Sequence, residues 1–482
     1  MLSKEELEDL ARKIKLPGHG KKGNIITALL SAADTQYTLS HFRRNEYVTG
    51  NKGAIITFGA RLRALCMGQI GCCIRINPAV LTLLRRINLI FFRTPVYEGH
   101  LFVPAILVAS HKRVYHRYIT TRTPDIFPDR CSLLEYELSL ELERGCEASV
   151  EDYKQLTSTK ELSTKERQAV EETILEFYRR VLDCFKVSLE RRTRSQSLLG
   201  RVLERFEPGH VYTRTLHHIA PIVGKIDGVE SETTILQSLL AQNRWHCGKR
   251  GGWYDRLALL HMKDKTTEQL RRAYKLVTVA LLDESTLLRY KPKLIRRLKR
   301  LEHQLKLAPD ERHACDGDLE RCQDVYILGC RIRPCAQDSK GTESAAGKTI
   351  WEGSQGVPLG VEDYALEHYA RLGFRGKHCE GTLVRFIFAL LFHDILFMQV
   401  PGAFETPYQT APLDLVMDTF YTSRKEVIDA RLKQILNGDA LVFADKTDSE
   451  HRKDRTFFVG GKWDAFERHE ILEILEVTYR PR

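Results

Sequence analysis

The sequence predicts a mostly α-helical protein built from several domains. Its 482 residues exceed the length of one ordinary domain. Hydrophobic residues make up 43% of the chain, which is enough for ordinary buried cores. Apolar residues also recur at helical spacing over long stretches, as in Val170, Ile174, Phe177 and Val181. We expect four segments, covering residues 1–130, 131–335, 336–358 and 359–482.

The charge balance suggests a polyanionic partner. The net charge is +11, which suits nucleic acid or an anionic surface. We expect no membrane partner, because no apolar stretch reaches the roughly 18 residues of a membrane span. The longest candidate, Phe386–Val400, is interrupted by His393 and Asp394 and is predicted to be a buried helix. The 12 cysteines are scattered and follow no leader-like start, which predicts reduced thiols in the cytosol or nucleus.

The first 31 residues predict two short helices around a basic turn. Ser3 and Glu6 form a capping-box pattern at the start of the first helix. Leu7, Leu10 and Ile14 then fall on one face. The turn carries Lys21 and Lys22. This arrangement resembles a SAP module, in which the two lysines would contact a DNA backbone. A plain helical hairpin with a solvated turn is the alternative.

Residues 50–120 alternate helix-like and strand-like runs. Leu101–Val108 is continuously apolar and is interpreted as a buried strand, with Pro104 favouring a sheet edge. A basic tract of histidine, lysine and arginine follows at 111–117. A winged-helix-like fold would accommodate this mixture, so residues 1–130 are predicted to be a SAP-like and winged-helix-like DNA-binding region.

Residues 131–335 predict an irregular array of paired helices, similar to TPR repeats. One helix after Asp283 is strongly basic and almost free of acids, with Glu302 as the exception. Its charge run is either a phosphate-contacting face or an ordinary solvated one. The candidate DNA-binding residues in this region are Arg289, Lys293, Arg296, Arg297 and Arg300. Residues 336–358 are rich in small residues and predict a flexible loop.

Several long sequence stretches carry a more specific signal than composition does. They comprise YARLGFRGKHCEG at 369–381, LLFHDILF at 390–397, VPGAF at 400–404, APLDL at 411–415 and DTFYTSR at 418–424. Further stretches lie upstream, namely DIFPDR at 125–130, VYTR at 211–214, LQSLL at 236–240 and GGWYDRLAL at 251–259. Their order and spacing resemble the Fanconi-associated nucleases, over most of the chain.

This resemblance implies a fold and an activity. The fold would be a SAP and winged-helix part, a TPR-like helical part, and the start of a VRR-type α/β nuclease domain of the PD-(D/E)XK class at 359–482. The activity would be metal-dependent 5′-flap endonuclease and 5′–3′ exonuclease cleavage in interstrand cross-link repair, in the nucleus. Mg²⁺ or Mn²⁺ would be the cofactor, with Glu380 as one ligand. Branched DNA would be the partner, bound by a possible homodimer.

Two departures from the family pattern limit that expectation. No Pro-Asp followed by Glu-X-Lys comes after Glu380, so no complete catalytic set is present and we expect this chain alone not to cleave DNA. It would be a truncated isoform, an incomplete gene model, or an inactive homologue that only binds junction DNA or dimerises. The family's basic residue before the tryptophan is replaced by Gly252, which leaves Arg250 and Arg256 as candidate phosphate ligands.

Overall fold

The computed structural model describes most of the chain. The described residues are 2–14, 16, 22–35, 58–71, 76–94, 101–124, 126–158, 164–191, 198–313, 324–332, 349–354 and 356–478. Their contacts separate two compact units. The first comprises residues 1–90 and 94–101, and the second comprises 91–93 and 102–482. The division between the two units falls near residue 101, and the predicted segment boundaries stay predictions.

The first unit is helical throughout its described part. It contains α1 (Lys4–Ile14), α2 (Lys22–Thr35), α3 (Phe58–Ile70) and most of α4 (Pro78–Phe92). Leu10, Ile25 and Leu62 meet in its small core. The predicted capping box is confirmed: the Ser3 amide donates to Glu6 at 2.6 Å, and the Glu6 amide donates to the Ser3 hydroxyl at 3.2 Å.

The predicted strand at Leu101–Val108 is wrong, because Val103–Ala109 forms helix α5. Pro104 lies in the first turn of this helix, where a missing backbone N–H removes no helical hydrogen bond. Periodicity alone does not separate a short apolar strand from a short apolar helix. The following residues, 113–123, run without regular structure apart from one bridge between Tyr115 and Phe457.

A stack of helices forms the centre of the second unit. Its members are α6 (Arg130–Ser158), α7 (Thr164–Glu190), α8 (Leu198–Leu203), α9 (Pro208–Ile226), α10 (Val229–Leu240), α11 (Arg250–His261), α12 (Thr267–Leu282) and α13 (Lys291–Gln304). Helix α11 joins two successive cores, since Trp253 and Leu257 face the first and Tyr254 and Ala258 face the second. This layered packing is typical of a helical repeat array.

One close approach in this stack requires a glycine. A Cβ at Gly209, in the first turn of α9, would lie 2.0 Å from the Trp245 ring. Trp245 is almost fully buried, and its indole N–H donates to Glu207 at 2.8 Å. The absence of a side chain at Gly209 therefore lets the indole pack directly on the helix backbone.

The C-terminal part of the second unit begins with a small sheet. Strands β1 (Arg331–Ile332), β2 (Ile350–Glu352) and β3 (Pro358–Leu359) pair antiparallel in that order. The strand β2 lies inside the predicted flexible loop 336–358, so that prediction is wrong for residues 350–352. The loop's residues 336–348 are outside the described part of the chain.

Helices make up the rest of the described C-terminal part. They are α14 (Val361–Arg371), α15 (Thr382–Leu391), α16 (His393–Leu396), α17 (Thr419–Thr422), α18 (Lys425–Gln434), α19 (Ala440–His451) and α20 (Arg468–Thr478). A kink at Gly438, whose φ is +102°, separates α18 from α19. Between residues 360 and 478 no strand is described, so the α/β nuclease sheet stays a prediction. Among the described helices, none is long and apolar enough to span a membrane.

Candidate nucleic-acid interface and metal ligand

The basic helix α13 separates its apolar and cationic residues onto opposite faces. Leu294, Leu298 and Leu301 are fully buried against α11 and α12. Lys293, Arg296 and Arg300 are exposed. Their spacing of three and four residues places the three cations on one face. A row of exposed cations on one side of a helix can follow successive phosphates of a nucleic-acid strand.

Two of the predicted cations on α13 share one buried carboxylate. Asp255, only 7% exposed, accepts from Arg297 Nε at 2.7 Å and lies 2.7 Å from Lys293 Nζ. The Arg297 side chain is 12% exposed, so it is an anchor between α13 and α11. Lys293 remains 60% exposed and still presents charge to solvent. The neighbouring Arg289 is exposed and stacks over the Tyr290 ring at 4.8 Å.

The two candidates near Gly252 are also engaged within the protein. Arg250 Nε donates to Asp283 at 2.7 Å, and its other nitrogens reach the Tyr254 hydroxyl and two backbone carbonyls. Arg256 makes a two-pronged pair with Glu232, at 2.6 and 2.9 Å. The Arg250 side chain is 12% exposed and all three of its guanidinium nitrogens make hydrogen bonds, whereas Arg256 is 36% exposed and pairs through Nε and one Nη. Both side chains tie helices together, and their contact with DNA stays a prediction.

The Tyr290 ring packs closely on the backbone of Gly251 and Gly252. A Cβ at Gly252 would lie 3.2 Å from the Tyr290 ring, and one at Gly251 would lie 2.7 Å from it. A side chain at Gly252 would therefore contact the ring, which would have to shift by a few tenths of an ångström to admit it.

The basic turn of the first unit is only partly described. Lys22 begins α2 and is exposed, whereas Lys21 lies outside the described residues. An exposed cation at a helix start is available to a phosphate. The SAP-like interpretation of this turn therefore stays a prediction.

Glu380 lies in a tight turn just before α15. Its backbone φ is +38°, and its side chain is 83% exposed. His378 lies beside it, with Nε2 3.6 Å from the carboxylate. In the described chain, the only group of three close potential metal ligands is made of histidines and excludes Glu380. Glu380 and His378 therefore do not by themselves fit a catalytic Mg²⁺ or Mn²⁺ site, which needs several oxygen ligands.

The two motif stretches at 411–415 and 418–424 form a buried junction with the helical stack. Asp414 and Arg424 pair at 2.7 and 3.2 Å, and both side chains are fully buried. Asp418 accepts from the Gly248 amide at 3.0 Å, and Arg205 donates to the Leu413 carbonyl. These sequence stretches hold the C-terminal helices on the array, which is a structural role.

Comparisons with known proteins agree with this architecture. A family model described as Fanconi-associated nuclease 1, TPR domain, matches residues 148–302. A crystal structure of paFAN1 bound to 2nt 5′-flap DNA with a gap aligns with a TM-score of 0.51 at 16% identity. That alignment covers 99% of this chain and 68% of the other, and it shows a shared fold.

Sequence relatives extend over nearly the whole chain. The Fanconi-associated nuclease 1 of Danio rerio is 28% identical over 90% of this chain, and the human protein is 27% identical over 90%. This chain covers only 43% and 41% of those two proteins. The Schizosaccharomyces pombe homolog is 31% identical over 99% of this chain and 67% of its own length. By this similarity, the chain belongs to the Fanconi-associated nuclease family.

Proposed function

We propose that this chain recognises branched DNA, mainly 5′ flaps, and is the DNA-binding part of a structure-specific nuclease. The exposed face of α13 carries this proposal, because Lys293, Arg296 and Arg300 form a cationic row on an array shared with flap-binding relatives. The net charge of +11 favours the same partner. The proposed setting is interstrand cross-link repair in the nucleus, with the chain bound to DNA as a monomer or a homodimer.

Cleavage belongs to a longer form of the protein in this proposal. Glu380 would join the Pro-Asp and Glu-X-Lys elements to hold Mg²⁺ or Mn²⁺, and flap endonuclease and 5′–3′ exonuclease cutting would follow. The chain of 482 residues would bind DNA without cutting it.

A non-catalytic junction-binding or dimerisation protein is the second candidate. It is favoured by the isolation of Glu380 among the described carboxylates. Metal-dependent cutting by a longer form would exclude it.

The cationic row should set the salt dependence of DNA binding. We expect the triple variant Lys293→Ala, Arg296→Ala, Arg300→Ala to bind 5′-flap DNA more weakly. Its log–log salt slope should be shallower by up to about 2.7, at roughly 0.9 per lost phosphate contact on duplex DNA. Fluorescence anisotropy titrations from low to moderate salt measure both quantities.

The matched control removes the same charge elsewhere on the second unit. Arg179, Arg180 and Lys186 are exposed on α7, so alanine at these three positions changes the net charge equally. This control should keep a slope close to that of the parent chain. Equal loss of slope in both triple variants would contradict a specific role for α13.

The basic turn of the first unit gives an independent binding test. We expect Lys21→Ala, Lys22→Ala to weaken binding to every DNA tested by a similar factor. Phosphates carry no base information, so sequence preference should not change. Competition binding with DNAs of different sequence measures this. Unchanged affinity for all of them would support the alternative of a plain solvated turn.

A further inference from the structure

Three histidines from distant parts of the sequence meet inside the second unit. His116 comes from the irregular segment after α5, His393 begins α16, and His451 ends α19. Their ring centroids are 4.6 Å apart for His116 and His393, 5.1 Å for His116 and His451, and 4.3 Å for His393 and His451. One ring nitrogen from each lies within 4.8 Å of those of the other two.

The rings lie in an apolar pocket and lack protein partners at key atoms. His393 is 5% exposed, and Phe397 and Phe458 pack against its ring with centroids at 4.8 and 4.9 Å. Nε2 of His393 and Nε2 of His451 are both buried with no hydrogen-bond partner in the described structure. A buried polar atom is normally hydrogen-bonded or ligated, so these two nitrogens are available to bind a ligand.

The surroundings favour neutral imidazoles, which is the form that binds metals. Burial, followed by the neighbouring histidines, lowers the pKa of His116 to about 4 and that of His393 to about 3. Burial also lowers the pKa of His451, although Glu450 and Asp454 oppose that shift. Asp394, beside His393, is held by Arg431 at 2.6 Å and is not free to act as a base for the ring.

We propose that His116, His393 and His451 bind one Zn²⁺ ion. Neutral imidazole nitrogens suit zinc, which they bind at about 2.0–2.1 Å in tetrahedral geometry. Ring nitrogens in such a site lie about 3.3 Å apart. The nitrogens observed here lie within 4.8 Å of one another, so each separation would have to shorten by about 1.5 Å or less. The fourth position is filled by water or by Glu450, whose Oε2 lies 4.0 Å from Nε2 of His451.

The site would act as a structural clamp. It joins the irregular segment carrying His116 to the ends of α16 and α19, which are otherwise linked there by aromatic packing. None of the three residues belongs to the proposed DNA-binding face of α13 or to the turn of Glu380. Zinc binding is therefore independent of the proposed nuclease function, and each can fail without the other.

The test begins with the unaltered 482-residue chain. After chelator treatment and dialysis, Zn²⁺ is added back and bound metal is counted by plasma mass spectrometry. We expect one Zn²⁺ per chain and a higher thermal midpoint on addition of metal. The absorption spectrum of the Co²⁺ form should show nitrogen and oxygen ligation without thiolate charge-transfer bands. Absence of bound metal, or a thiolate-dominated spectrum, would overturn the proposal.

Variants then assign the ligands. His116→Gln and His451→Gln should each lower zinc affinity at least tenfold, measured by competition with a chromophoric chelator, while the helical circular dichroism of the chain is retained. His469→Gln is the matched control, because His469 is exposed on α20. Retention of full zinc affinity by both ligand variants would contradict the assignment. If either variant does not fold, the other variant still tests the assignment, and thiolate bands in the Co²⁺ spectrum of the unaltered chain would still overturn the proposal.

Discussion

Asp414→Ala is expected to lower the free energy of unfolding by about 3–5 kcal/mol, because it leaves the buried Arg424 guanidinium without its counter-charge. Both side chains of this pair are fully buried, with contacts of 2.7 and 3.2 Å. Arg424 would retain only the Phe420 carbonyl and the Ser423 hydroxyl as partners. Denaturant unfolding, followed by circular dichroism, measures the loss.

Two further variants show whether burial of the charge is the cause. Asp445→Ala breaks the exposed pair with Arg468 and should cost less than about 1 kcal/mol. The double variant Asp414→Leu, Arg424→Met leaves no buried charge and should be more stable than Asp414→Ala alone. If the exposed and buried single variants lose similar free energy, the buried pair does not have the role assigned to it.

Glu380→Ala should abolish cutting in a longer form of this protein that carries the Pro-Asp and Glu-X-Lys elements. Loss of an outer-shell partner of a metal ligand already costs about 10–100-fold in affinity or activity, so loss of a ligand should cost at least about 100-fold. Binding of flap DNA should be largely unchanged, because the carboxylate would contact metal and not phosphate in the proposed site. Cleavage of a labelled 5′-flap DNA with Mg²⁺ or Mn²⁺ measures the first effect, and anisotropy measures the second.

An exposed carboxylate on another element provides the control. Glu362 is exposed in the first turn of α14, and Glu362→Ala should cut at the unaltered rate. An active Glu380→Ala variant would show that the ligand is assigned wrongly. Robust cutting by the 482-residue chain itself would show that this chain contains a complete active site, contrary to the proposal.

Local signals predicted helices well and short apolar runs poorly. The capping box of Ser3 and Glu6 forms as expected, since both partners lie within one turn. The buried leucines of α13 follow the helical period of the sequence. The strand prediction for Leu101–Val108 is wrong, because a short apolar run is compatible with a strand and with a short helix.

Charge in the sequence does not reveal which cations are free. Arg250, Arg256 and Arg297 look as available as Arg296 and Arg300, yet the first three pair with Asp283, Glu232 and Asp255 from other helices. These carboxylates become partners only when the array is packed. Sequence alone therefore predicted a basic array but not its exposed face.

The histidine cluster was missed for a related reason. In the sequence, His393 is a polar interruption of an apolar run, and His116 belongs to a basic tract. No short-range spacing links these residues to His451, and the three meet only through the packing of α16, α19 and the segment after α5. A sequence search for metal ligands depends on close spacing, which this cluster does not have.

Equilibrium binding of the 482-residue chain to a 5′-flap DNA, compared with a plain duplex of equal length and charge at one salt concentration, tests the proposed function most directly. We predict tighter binding to the flap, and a loss of affinity for both DNAs in the α13 triple variant. Equal affinity for flap and duplex, unchanged by the loss of Lys293, Arg296 and Arg300, would contradict branched-DNA recognition by this chain.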